Sequence, residues 1–162
     1  MTGKRRTYHR PLCSWLLAAA GAATVLIGIY FIFIRPPLLP EDLRYMGTSS
    51  EGLLAATPKL VRWLELVFTV LGGYIVGAGV LLTHLALGAF AGRKPYAFLV
   101  AALGGGFTTG LMSVVNLFID SDFKFILLAI TALWLAALIC YGFKTRRPSG
   151  AGQDYSSKPG RP

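Results

Sequence analysis

The chain has 162 residues, of which 54% are hydrophobic and only 14% charged, with 16 Lys and Arg against 7 Asp and Glu for a net charge of +9. A soluble domain carries about 25% charged residues, so an ordinary soluble globular fold is excluded and the missing charge must come from membrane-embedded stretches. Four runs free of Asp, Glu, Lys and Arg, at residues 11–34, 66–92, 95–119 and 125–143, each reach or exceed the roughly 18–20 residues that cross a bilayer as helix.

The expected fold is an all-α membrane protein, a four-transmembrane-helix bundle. Its spans are expected at about 12–34, 60–91, 95–119 and 124–143, with an external loop at 35–59. Residues 1–10 read as a basic tail carrying Lys4, Arg5, Arg6 and Arg10. The first span carries the small-residue run Ala18 to Ala23, which imitates a signal-peptide cleavage region, but cleavage there leaves only Leu12 to Leu17 as the apolar region. Secretory signals use about 7–15 apolar residues, so an uncleaved first helix is expected. Trp15 and Tyr30 lie toward its ends, where amphipathic rings favour the membrane interfaces.

Pro36 and Pro37 stop that helix. In the loop, Pro40 suits a first helical position, Glu41 and Asp42 follow in the first turn, and Gly47 can terminate, so a short helix is expected at 40–46. Thr48 with Glu51 reads as a capping box for a second short helix. Leu43, Tyr45, Met46, Leu53 and Leu54 would seat both on the outer membrane surface. Thr57 before Pro58 has the pattern of an N-cap for the second span.

At about 100° per residue, the second span gathers Glu65, Thr69, Gly72, Gly73, Val76, Val80, Thr83 and His84 on one small and polar face. Leu64, Val67, Phe68, Leu71, Ile75, Ala78 and Leu82 form a lipid-suited face opposite. The third span divides similarly, with Gly105, Gly106, Gly110, Ser113 and Asn116 together. Gly73-x-x-x-Gly77 and Gly106-x-x-x-Gly110 have the spacing that lets membrane helices approach closely. With a short connection at 91–94, spans two and three are expected to form a tight antiparallel hairpin flanked by spans one and four. The chain closes in a basic, Gly-, Ser- and Pro-containing tail at 144–162 that is expected to be disordered.

Positive charge sets the expected orientation. The two tails and the loop at Arg93 and Lys94 carry eleven Lys and Arg, against Arg35, Arg44, Lys59, Arg62 and Lys124 on the other side. Cytoplasmic loops hold the excess, so both termini are expected in the cytoplasm. There the basic residues meet anionic headgroups, at about 1 kcal/mol for each well-placed residue. Nucleic acid is not an expected partner. The Pro-Glu-Asp-Leu-Arg-Tyr-Met-Gly loop at 40–47 and the four short spans resemble small bacterial membrane proteins, which implies an inner-membrane location and carries no activity across.

Candidate chemistry is sparse. Glu65 and Asn116 should lie at similar depth near the outer surface and could meet, with Arg62 at i−3 as the structural partner of Glu65. His84, roughly 28 Å further along the helix, reads first as a hydrogen-bonded packing histidine and second as a pH-sensitive group. Cys13 and Cys140 read as packing residues near the cytoplasmic face, and no metal or cofactor site is expected. One inward histidine cannot make a bis-histidine haem site. No close cysteine pair or His-Glu-x-x-His motif occurs, and Gly104 to Gly106 lacks the Lys-Ser/Thr of a phosphate loop. The two halves share no aligned polar or glycine positions, against an inverted repeat. The expected role is therefore a non-enzymatic accessory or scaffold subunit, with a membrane-protein partner or a second copy. The alternative is a lipid or small-molecule carrier or channel using the cleft between spans two and three.

Overall fold

The computed structural model describes residues 10–145. The basic tail expected at 1–10 and the tail expected at 144–162 fall almost entirely outside the described residues; helix persists through Thr145. Among the described residues the fold is helical throughout: α1 (Leu12–Phe33), α2 (Pro40–Met46), α3 (Ser50–Ala56), α4 (Leu60–Phe90), α5 (Ala97–Phe118) and α6 (Lys124–Thr145). Four of these, α1, α4, α5 and α6, are long and apolar enough to cross a membrane. At 31 residues, α4 is about 46 Å long and exceeds a hydrocarbon core of about 30 Å.

Helix ends follow local chemistry. α1 stops before Pro36, with the Ile34 and Arg35 N–H groups both donating to the Tyr30 carbonyl at 2.9 and 2.8 Å. The residue preceding a proline is pushed out of the helical region, so two prolines in series end the helix. α2 begins with Pro40 and ends at Gly47, whose φ of 65° is the left-handed conformation that glycine adopts without a Cβ penalty. The next two caps differ from expectation. Ser49, not Thr48, caps α3, accepting from the Gly52 N–H at 3.1 Å. Thr57 closes α3 by donating to the Leu53 carbonyl at 2.8 Å, and α4 starts three residues later at Leu60.

The tight helix pair is α1 with α4, not the expected hairpin of α4 with α5. Gly21 and Gly28 on α1 lie against Gly79 and Gly72 on α4, in antiparallel sense: a Cβ on Gly28 would stand 2.8 Å from the Gly72 carbonyl oxygen, and one on Gly79 would stand 2.8 Å from that of Gly21. Each pair is spaced by seven residues, which keeps both glycines of a helix on one seam. The buried line of α4 runs through Gly72, Ile75, Gly79, Leu82, Ala86 and Phe90. Ile75 and Leu82 therefore face the core rather than lipid, and Gly73 and Gly77 point outward with nothing within 4 Å. A wheel drawn at fixed angle merged Gly72 with Gly73, although only the first has a neighbouring helix.

α6 also packs on α1 and holds α5, where the Trp134 ring lies over Gly105 and its Nε1 donates to the Ala101 carbonyl at 2.8 Å. Gly106 and Gly110 meet that ring only at 3.9 and 4.0 Å. The hydrophobic core, with Leu17, Phe90, Ala101, Trp134 and Tyr141, gathers toward the end where α1 begins and α6 finishes.

Two segments widen to π geometry, Ala86–Phe90 at the end of α4 and Gly106–Gly110 within α5. Such turns misalign backbone groups, and neighbouring hydroxyls compensate. Ser14 donates to the Ala86 carbonyl. Thr131 of α6 donates to the Thr109 carbonyl at 3.0 Å and shares a 2.7 Å hydrogen bond with Ser113.

Candidate functional site

The polar groups of the described residues converge at the end of the bundle that carries α2. Arg35, just past α1, turns back toward α2. One guanidinium nitrogen donates to the Asp42 carboxylate at 3.0 Å and the other to the Pro36 carbonyl at 2.9 Å, while the guanidinium plane lies 3.7 Å from the Phe68 ring centroid. The same Asp42 oxygen accepts from the Leu39 N–H at 3.0 Å, capping α2. With only 9% of the Arg35 side chain and 23% of the Asp42 side chain exposed, the pair is largely withdrawn from water. Its geometry is therefore better fixed than that of a surface ion pair.

Glu41 is more deeply placed. It is 3% exposed, and its carboxylate accepts from the Ser121 hydroxyl at 3.2 Å. Ser121 belongs to the turn between α5 and α6, and its hydroxyl oxygen also accepts from the Phe123 N–H at 3.2 Å. Arg44 adds a second strut, donating to the Asp120 carbonyl at 2.7 Å. α2 is thus fastened over the α5–α6 turn, and beneath it lies a cavity of about 120 Å³ lined by Tyr30, Phe31, Arg35, Glu41, Asp42, Asn116 and Ser121 with apolar neighbours.

In that turn Asp120 has φ of 55° and pairs with Lys124, whose hydrogen bond and charge hold its carboxyl below the usual aspartate range. The pair's contribution is present above the ordinary aspartate range and fades as pH falls through the depressed value. In Lys124→Gln the Asp120 midpoint, read by carbon-13 NMR of the labelled carboxyl, is expected to rise toward the ordinary range near about 3.9.

A second space adjoins the first. Beyond their connected ends α4 and α5 diverge, leaving an apolar groove of about 420 Å³ between Leu71, Tyr74 and Ala78 on one wall and Phe107, Leu111 and Val115 on the other. Phe31 and Asn116 line both the groove and the polar cavity.

The residues singled out from sequence fare differently. Asn116 stands at the junction of the two spaces, with its Nδ2 donating to the Met112 carbonyl at 2.9 Å. Glu65 pairs with Arg62 at 2.9 Å on the exposed surface of α4, and among the described residues no hydrogen bond joins it to Asn116, whose amide donates within its own helix. His84 is exposed and has no hydrogen-bond partner among the described residues, so it is not the packing histidine expected. Of the glycines, Gly72 meets α1 and Gly105 meets Trp134, whereas Gly73 and Gly77 are open and Gly106 and Gly110 are in loose contact. Cys13 is buried in α1 and Cys140 is half-buried in α6, both as free thiols.

Sequence reasoning missed Arg35, Glu41, Asp42 and Ser121 as site residues. Glu41 and Asp42 registered only as first-turn acids of a short helix, and a seven-residue helix carries too few turns to mark its buried side. The usable signal was Asp42 three residues after Leu39, an N3 acid that fixes the entry to α2 and with it the facing of Glu41.

No protein-family model matches the chain, and no curated protein and no solved structure is significantly similar to it.

Proposed function

We propose that this protein is a non-enzymatic binder or carrier of an amphiphile, seated in a bacterial inner membrane with both termini in the cytoplasm. The observation that carries the reading is the groove of about 420 Å³ between α4 and α5, which shares Asn116 and Phe31 with the polar cavity under α2. A space that is apolar along its length and polar at one end suits a molecule with the same division. The distribution of Lys and Arg in the sequence supports the orientation, with α2 and α3 on the outer side. The basic ends would then lie against anionic headgroups.

Ala78 forms part of the groove wall. In Ala78→Phe, native mass spectrometry of protein released from nanodiscs is expected to show at least a tenfold loss of bound amphiphile with the bundle intact. Unchanged occupancy would remove the groove as the site.

A second reading, an accessory subunit, is favoured by one observation. Gly73 and Gly77 face outward on α4 beside a shallow groove with Val70, Tyr74 and Leu81, where no helix of this chain sits. A transmembrane helix of a partner protein could approach there closely. If so, Gly77→Leu should lose a stoichiometric partner in mild-detergent purification, and retention of that partner would sink the idea.

A further inference from the structure

We propose that the cavity under α2 receives the protonated amine of a single-chain amphiphile whose hydrocarbon tail lies in the α4–α5 groove. The inference rests on the amphiphile reading and names its ligand class. Three groups of formal charge line the cavity: Arg35, Glu41 and Asp42. Arg35 and Asp42 are paired with each other at 3.0 Å, and the guanidinium also donates to the Pro36 carbonyl and lies over the Phe68 ring. That leaves Glu41. It is 3% exposed, its one hydrogen bond is from the Ser121 hydroxyl, and among the described residues no cationic nitrogen lies within ion-pair distance of it.

A carboxylate taken out of water is costly unless a cation or several donors meet it. An ammonium group brings three donors and no acceptor, which is the complement of what the cavity offers. Glu41 accepts, and Asn116, whose Nδ2 is used on Met112, keeps its carbonyl oxygen for a ligand. The rings of Tyr30 and Phe31 line the same space and favour a cation. An anionic head would meet the Glu41 and Asp42 carboxylates in the same space, opposite a guanidinium whose charge Asp42 already balances.

Size sets the rest. About 120 Å³ accommodates an ammonium and its first carbons, and a phosphodiester beside them would face the Glu41 and Asp42 carboxylates, so the chain bearing the amine is expected to leave the cavity directly. At Phe31 and Asn116 it meets the apolar groove. A single-chain amine satisfies both spaces, whereas an aminophospholipid would have to bring its phosphate near the Glu41 and Asp42 carboxylates.

The test compares dodecylamine with dodecanol, which share a tail and differ in charge, on the full chain in nanodiscs of phosphatidylcholine. Ala78→Phe discs give the background due to partition into lipid. The amine is expected to bind at least tenfold more tightly than the alcohol. In Glu41→Gln, which keeps the size and the Ser121 hydrogen bond, the two affinities should converge while dodecanol is unchanged. Equal affinity in the wild type would overturn the inference and leave the amphiphile reading standing, and this comparison needs no variant to fold. Absence of specific binding by either probe would overturn both. Replacing a third of the disc lipid with phosphatidylethanolamine is expected to leave dodecylamine binding intact; displacement would overturn the single-chain occupant.

Discussion

Gly79→Leu is expected to destroy the bundle, while Gly77→Leu, two residues away on the same helix, leaves it folded. A Cβ on Gly79 would stand 2.7 Å from the Val25 nitrogen and 2.8 Å from the Gly21 carbonyl oxygen, both backbone atoms that no rotamer change can move. A leucine adds three more carbons to that clash and must force α1 and α4 apart along their whole seam. Overpacking a core with side-chain relief costs about 1–3 kcal/mol; here the obstacle is backbone, and the cost should exceed that range. Gly77 has nothing within 4 Å. The measurement is the fraction of monodisperse protein in mild detergent by size exclusion. A monodisperse Gly79→Leu variant would mean that α1 and α4 do not cross where the structure has them.

Trp134→Ala should be the most damaging side-chain deletion. The ring is 9% exposed, covers Gly105 and satisfies the Ala101 carbonyl. Truncating a buried tryptophan costs about 3–5 kcal/mol through the cavity left behind, and the Ala101 carbonyl, an acceptor that loses its indole donor, adds to it. Trp134→Phe keeps most of the volume and should cost about 1 kcal/mol, near the net worth of one hydrogen bond. Gly105→Ala approaches the same defect from the other side, since its Cβ would fall 2.0 Å from Trp134 Nε1. Thermal unfolding in one detergent ranks the three; a Trp134→Ala midpoint within a degree or two of wild type would deny the ring its role.

The membrane-spanning elements were legible because hydrophobic length and charge exclusion act along the chain. All four spans emerge with ends shifted by a few residues at most, and the loop between the first two holds short helices at 40–46 and 50–56, the second of which the sequence reading left without bounds. Which helices touch was less legible. Small residues at four-residue spacing on spans two and three point to a contact between those two, but helix association is settled by both partners. The seven-residue spacing of Gly21 and Gly28 on the first span matched that of Gly72 and Gly79 on the second. The site was least legible of all. Asn116 was singled out, yet its neighbours Arg35, Glu41 and Ser121 come from three separate turns, and only the folding back of α2 over the α5–α6 turn brings them together.

The wide turn at Gly106–Gly110 bears on how the chain tolerates a change of length. A π turn holds one residue more than an α turn, so an in-frame deletion within it would restore regular winding and keep the residues beyond near their present facing, whereas an insertion in the regular helix after it would rotate everything beyond by about 100°. After such an insertion Ser113 would leave Thr131, and Asn116 would swing out from between the cavity and the groove. A single residue added at Thr48, exposed between two short helices, disturbs only a local cap. Among natural variants of this sequence, insertions should therefore cluster around 47–49 and be absent from 111–116, while 106–110 tolerates the loss of one residue.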